Sequence, residues 1–196
     1  MTDIPVFSIS AWSGTGKTTF LEKLIPELKK RGLRVAVLKH DAHEFEVDAE
    51  GKDSWRMTRA GADISMIVSD THAAYMENRP ISVGALLDKV GDVDVILAEG
   101  YKNGDFPKIV LYRKAVGKPF PCAFSECAAI VADDAVDAGD TPVFSFSDVS
   151  GTADFICERL GRRASETVGA GILAGGKSRR MGADKASLAA GGESFL

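Results

Sequence analysis

Residues 8–24, SISAWSGTGKTTFLEKL, set a glycine-rich turn between an apolar run and a helical pattern. Strand, glycine turn and helix in that order restrict the chain to folds that aim a helix N-terminus at a ligand. The Walker A spacing, glycine, four residues, then glycine-lysine-serine/threonine, is met from Ala11 to Thr18, with Ala11 in place of the first glycine. Backbone amides of Ser13, Gly14, Thr15, Gly16, Lys17, Thr18 and Thr19 are expected to converge on phosphate oxygens, where the helix dipole also favours an anion. Lys17 adds a cation for the β and γ phosphates, and the Thr18 hydroxyl is the expected magnesium ligand. Ala11 is tolerated if its φ is negative, because only a positive φ demands glycine.

Short apolar, β-branched runs follow at intervals: 4–10, 34–40, 63–69, 93–99, 108–113, 128–133 and 141–146 read as strands. Several are apolar at consecutive positions, as in a sheet covered on both faces. Between the first two, Phe20, Leu21, Leu24, Ile25 and Leu28 form one helical stripe that Gly32 stops. Pro26 inside that stripe should bend the helix. A last helix is expected over 152–160, and an antiparallel pair around Ile109 to Tyr112. The fold class is α/β: a mostly parallel twisted sheet with helices on both faces, plus a truncated C-terminal strand-loop-helix fragment. The domains are read as 1–161, a small and polar linker at 162–169, and a fresh strand entering a glycine turn within 170–196.

With 196 residues, 45% hydrophobic and 27% charged, the chain can bury one sizeable core. Its net charge of −4 argues against a general nucleic-acid or anionic-membrane binder. The three cysteines, Cys122, Cys127 and Cys157, contain no C-x-x-C pair and read as core or half-buried thiols of a reducing compartment. No secretion signal or bilayer-length apolar run is present, and a cytoplasmic location is expected.

Other side chains are read against the phosphate turn. Glu99, ending the run VDVILAE, is placed to hold magnesium directly or through water, and Gly100 lets the backbone approach the γ-phosphate. The polar stretch 38–63 follows the second strand and falls at the carboxyl edge of the sheet, where α/β ligands bind. His40, His43, Asp48, Lys52 and Asp53 are therefore candidates for a loop that senses the nucleotide. His40 and His43 have a metal-compatible spacing but no third ligand of clear position, which favours plain loop histidines. Lys102 and Lys108 either line a pocket for a second anion or stand exposed. Asp134, past the strand 128–133, is the candidate for pairing with guanine N1 and N2 hydrogens. Arg56 or Arg113 is the candidate for an arginine acting across a dimer.

The segments AWSGTGKTT, LKHDAHEFEVDAEGKDSWRMTRAGAD, ILAEGYK and PKIVLYR, in this order over residues 4–160, resemble the molybdopterin-guanine dinucleotide biosynthesis protein B family, MobB. The resemblance implies a homodimeric P-loop protein that binds GTP with Mg2+, has weak GTPase activity, and assists attachment of GMP to molybdopterin. Lys17 and Glu99 would then serve hydrolysis, with Thr18 and Glu99 attending to the metal. Residues 171–186, GILAGGKSRRMGADKA, resemble the opening of the partner enzyme, the molybdenum cofactor guanylyltransferase MobA. By that resemblance Gly175 and Gly176 grip phosphates while Arg180 and Lys185 neutralise charge. Guanylyltransferase activity is not expected from so short a piece. Molybdopterin itself is a candidate ligand. Two rival readings remain open at the sequence level: a nucleotide-gated adaptor without meaningful turnover, and a P-loop small-molecule kinase.

Overall fold

The computed structural model describes residues 3–40, 47–101 and 104–161, and the backbone of 189–190 and 193–194. The chain divides into two compact units, Met1–Ala164 and Ser165–Leu196. In the second, β9 (Ala189–Ala190) pairs antiparallel with β10 (Glu193–Ser194).

In the first unit, β1 (Val6–Ser10) leads through the phosphate loop into α1 (Lys17–Lys30), and β2 (Val35–Lys39) follows. Next come α2 (Asp53–Arg59), the hairpin β3 (Ile64–Val68) and β4 (Ala73–Glu77), and α3 (Val83–Leu87). The chain then adds β5 (Val95–Glu99), β6 (Lys108–Tyr112), β7 (Cys127–Ala132), β8 (Val143–Phe144) and α4 (Val149–Arg159). Six strands form one sheet in the order β2-β5-β1-β6-β7-β8, every adjacent pair parallel. Parallel strands need long crossovers and covered faces, which is why their apolar runs are continuous.

Period-two alternation divides the buried strand residues between two faces. Phe7, Ile9, Val95, Leu97, Ile109, Leu111, Ala129 and Val131 form one core with Phe20, Leu21, Leu24 and Leu28 of α1 and Ala153, Ile156 and Cys157 of α4. Arg31, just past α1, donates to Glu27 (2.9 Å), Asp154 (2.8 Å) and Ser150 Oγ (2.8 Å), tying the two helices together. The opposite face buries Ser8, Ser10, Ile96, Ala98, Lys108, Val110, Ile130 and Ala132. Buried polar groups are found hydrogen-bonded, and these are: Ser8 Oγ lies 3.0 Å from Ser10 Oγ and donates to the Tyr101 carbonyl, also at 3.0 Å.

Several expectations are corrected. No antiparallel pair forms around Ile109 to Tyr112, because β6 is inserted between β1 and β7 and runs parallel to both. Antiparallel pairing occurs instead in β3–β4, so the strand read at 63–69 lies in a separate two-stranded sheet. The last helix starts at Val149 rather than 152, capped by Asp148, whose side chain accepts from the Gly151 amide. The proline expected inside helix α1 is there: α1 runs through Pro26, which is exposed together with Glu22, the residue whose carbonyl it frees.

Candidate functional site

The phosphate loop leaves the centre of the sheet, where β1 lies between β5 and β6. Ala11 is fully buried and is not among the residues of positive φ, so its methyl group joins the core where a glycine was not needed. Gly14 and Gly16 have φ of 81° and 95°, a conformation that L side chains rarely adopt. A Cβ at either would meet nothing within 4 Å, so the loop is uncovered at both glycines. Gly16 caps α1 without a side-chain bond, and the Phe20 amide donates to its carbonyl (2.9 Å) as the helix begins. The amides ahead of Phe20 have no intrahelical acceptor, so the helix presents donors and its positive dipole end to the loop. Lys17 Nζ donates to the Ala11 and Trp12 carbonyls at 3.4 Å each. Contacts that long are weak, and they park the ammonium at the mouth of the loop.

Side chains from neighbouring elements brace the loop from outside. Trp12 Nε1 donates to the Pro119 carbonyl (2.7 Å). Arg113, next after β6, donates through Nε to the buried Thr15 carbonyl (3.0 Å) and through Nη1 to Asp133 (2.7 Å). Its guanidinium lies 3.8 Å from the Phe146 ring centroid, and Phe146 meets Phe20 edge-on at 5.9 Å. Arg113, one of the two arginines expected to reach across a dimer, is thus engaged within its own chain. A lone arginine carries no sequence signal for such a role, because its partners lie 98 and 20 residues away.

On the other flank, β5 pairs with both β1 and β2, so Glu99 lies level with Ile9 and Lys39. Its carbonyl accepts the His40 amide (2.9 Å), while its carboxylate has no hydrogen bond or ion pair among the described residues. Gly100 has φ of 94°, and a Cβ there would stand 2.9 Å from the His40 carbonyl. Both facts require glycine. The His40 ring lies 5.1 Å from that of Tyr101, whose phenol is pushed up by burial. The structure therefore collects Ser13 to Thr19, Glu99, Gly100 and His40 at one edge of the sheet. An open cradle with exposed Thr18, a nearby carboxylate and a lysine is a donor set that fits a phosphate chain with a hard divalent cation.

The remaining candidates fare differently. Asp48 keeps one carboxylate oxygen on the Ala49 amide (2.9 Å) and buries the other without a described partner. Lys52 and Asp53 are not loop residues: Lys52 caps α2 and Asp53 opens it, an acidic side chain favoured in a first turn. Lys108 is not an open anion site, since its buried ammonium is held by Glu126 at 2.5 Å. Asp133 is taken by Arg113, and Asp134 stands exposed beside it. His43, Lys102, Gly175, Gly176, Arg180 and Lys185 lie outside the described residues. Among the described residues no group of three histidine, cysteine or acidic side chains could hold a metal, and no helix is long and apolar enough to cross a membrane. An apolar depression lined by Ile4, Pro5, Phe7, Leu87 and Pro107 sits at the amino edge of the sheet, away from the phosphate loop. It has one bordering cation, Arg159, and none of the converging donors that a triphosphate needs.

Comparisons with known proteins bear on the family and the fold. The chain is 40% identical over 157 residues to the molybdopterin-guanine dinucleotide biosynthesis adapter protein of Haemophilus influenzae, covering 78% of this chain and 88% of that one. It is 38% identical over 164 residues to the protein of the same name in Escherichia coli, covering 80% and 94%. Among solved structures, Bacillus subtilis MobB superposes with a TM-score of 0.66 at 25% identity, covering 80% of this chain and 98% of that one. A crystal structure of molybdopterin-guanine biosynthesis protein B superposes at 0.61 and 28%, covering 80% and 99%. The family model described as molybdopterin guanine dinucleotide synthesis protein B matches residues 6–133, from β1 through the end of β7, and the chain belongs to that family.

Proposed function

We propose that this chain is a GTP-binding accessory protein of molybdopterin guanine dinucleotide synthesis, acting on a MobA-like guanylyltransferase in the cytoplasm. The observation that carries the reading is the open loop from Ser13 to Thr19, with Gly14 and Gly16 at positive φ, in a chain of this family. In this reading the loop amides and Lys17 bind the phosphates, and Thr18 and Glu99 hold Mg2+. Such a metal would supply charge neutralisation to the phosphates. His40, at the edge beside Glu99, and Asp48 and Lys52 ahead of α2 register whether the γ-phosphate is present. Asp134 reads the guanine base.

Turnover is slow on this account, because Arg113, the best-placed guanidinium, is committed to Thr15 and Asp133. Supplying an arginine to a phosphoryl-transfer site is worth about 10³–10⁵ in rate. The same observation favours a second reading, an adaptor whose nucleotide state signals docking while hydrolysis is incidental, and the two named relatives are adapter proteins. A homodimer is supported by the β3–β4 hairpin, which exposes Met66, Ile67, Val68 and Tyr75 on a two-stranded sheet too small to stand alone. Residues 1–161 form the nucleotide-binding domain, 162–169 link it, and 170–196 carry the opening of a guanylyltransferase domain. Molybdopterin is a further ligand to be titrated.

Calorimetry of GTP with Mg2+ against the wild-type chain and Lys17→Ala tests the reading. Loss of binding in a variant that remains folded is expected, since the two hydrogen bonds from Lys17 Nζ to the Ala11 and Trp12 carbonyls are long and weak. Equal GTP affinity in the two proteins removes Lys17 from the site. Single-turnover hydrolysis with and without guanylyltransferase then separates the two readings: stimulation supports a GTPase, indifference an adaptor.

A further inference from the structure

The connection between β6 and β7 brings two of the three cysteines into contact. Cys122 lies ahead of the 3-10 turn Phe124–Glu126, and Cys127 opens β7. Their Sγ atoms are 3.7 Å apart and both residues are partly exposed, whereas Cys157 is buried in α4. The turn does not depend on this approach. It is closed by the Ala123 amide on Glu126 Oε1 (3.1 Å) and the Glu126 amide on the Ala123 carbonyl (3.0 Å).

Two further features converge on the thiols. Lys108 pairs with Cys127 but Ile109 pairs with Ala129, so Ala128 is an extra residue in β7. Such bulges bend a strand and re-aim side chains. The Lys108 ammonium, fixed by Glu126, also interacts electrostatically with both cysteines, although at Cys127 burial outweighs it. The same connection carries Pro119, which holds Trp12, so the thiol pair lies on a segment that braces the phosphate loop.

We propose that Cys122 and Cys127 are a reversible disulfide site, oxidised by a low-molecular-weight disulfide of the glutathione class. The Cys122 thiolate attacks one sulfur of the small disulfide, forming a mixed disulfide and releasing one small thiolate. The Cys127 thiolate then attacks Cys122 Sγ, forming the protein disulfide and releasing the second. Two electrons pass from the cysteines to the small disulfide, and the two cysteine protons end on the departing thiolates. Burial, with a smaller effect from Cys122, pushes the Cys127 thiol up to about 12, which makes Cys127 a poor first nucleophile and suits it to the second step, where Cys122 Sγ is already at hand. Closure to a sulfur–sulfur bond of about 2.05 Å needs a movement of under about 2 Å, within the reach of side-chain rotation.

The test equilibrates the full chain in graded ratios of oxidised to reduced glutathione, then applies acid quenching, alkylation and cleavage after Glu126. Cleavage there separates Cys122 from Cys127, so only a disulfide keeps the two peptides joined. The joined pair should appear as the ratio rises and vanish on return to reduced glutathione, with Cys157 alkylated only after denaturation. In Cys127→Ser and Cys127→Ala the glutathione adduct on Cys122 should accumulate at least about tenfold above wild type, because the resolving thiol is gone. Peptides that separate at every ratio overturn the proposal. So does a wild-type chain that stops at the Cys122 adduct. Should both variants fail to fold, the wild-type measurement decides alone.

Discussion

Replacing Arg113 with alanine should cost the protein about 2–4.5 kcal/mol, and each part of that figure can be assigned. The largest part falls on Thr15, which is only 2% exposed, because its carbonyl accepts from Arg113 Nε. Leaving a buried acceptor without a donor costs about 1–3 kcal/mol. The ion pair with Asp133 adds little: its side chains are 37% and 41% exposed, and such pairs are worth about 0.5 kcal/mol after solvent screening. The guanidinium over Phe146 adds about 0.5–1 kcal/mol. Urea unfolding followed by circular dichroism reads the sum: with a slope of about 2 kcal/mol per molar, the midpoint falls by roughly 1–2 M. Arg113→Lys should recover less than half of the loss, because an ammonium cannot reproduce two divergent donors on a flat group stacked against a ring. A midpoint within about 0.25 M of wild type, under 0.5 kcal/mol on that slope, would refute the reasoning. It would mean that water or a rearranged loop satisfies Thr15 without help.

Gly100→Ala should destabilise by at least about 1 kcal/mol more than Gly14→Ala, since both bear a positive-φ cost of about 1–2 kcal/mol but only Gly100 has the His40 carbonyl 2.9 Å from its new Cβ; equal thermal shifts would contradict this. Hydrogen bonding to Lys108 holds the Glu126 carboxyl below its usual range. That contribution to stability is complete above the unfolded value of 4.5 and disappears as pH falls through the folded value. Acid titration of stability in Glu126→Gln should therefore lack this component, and an unchanged acid limb argues against the pair. The same pairing raises Lys108 above 10.5, so its share is present below that value and fades only as pH rises through the folded one. Asp134→Ala should narrow the preference for GTP over ATP in paired calorimetric titrations, and identical discrimination before and after would take Asp134 out of the base site.

What the sequence revealed here follows the range of the interactions involved. The turn from Ala11 to Thr18 is legible because strand, glycine and helix signals all fall within about twenty consecutive residues, and local backbone chemistry fixes its shape. The strand β4 is not, because Ala73, Ala74 and Glu77 are poor strand formers and the segment is largely exposed. Its pairing depends instead on a turn closed by the Ser69 amide on the His72 carbonyl (2.8 Å). The direction of β6 was misread for a related reason. KIVLY is buried at its first four positions and would look the same beside a neighbour of either sense. Strand order decides, and strand order has no local signature. That order also builds the site. Because β1 lies between β5 and β6, its loop follows a strand level with Glu99 on one flank and takes a guanidinium contact from Arg113 on the other. The position of Glu99 at the sheet edge could be read from sequence because it ends an apolar run whose end must fall there. Arg113 follows β6 in the same way, but a cation there has several possible partners, and only the insertion of β6 beside β1 directs it to the Thr15 carbonyl. The same topology explains why Lys108 cannot serve an anion at that edge: it begins its strand where Arg113 follows it, and its charge is spent on Glu126 beside Cys127.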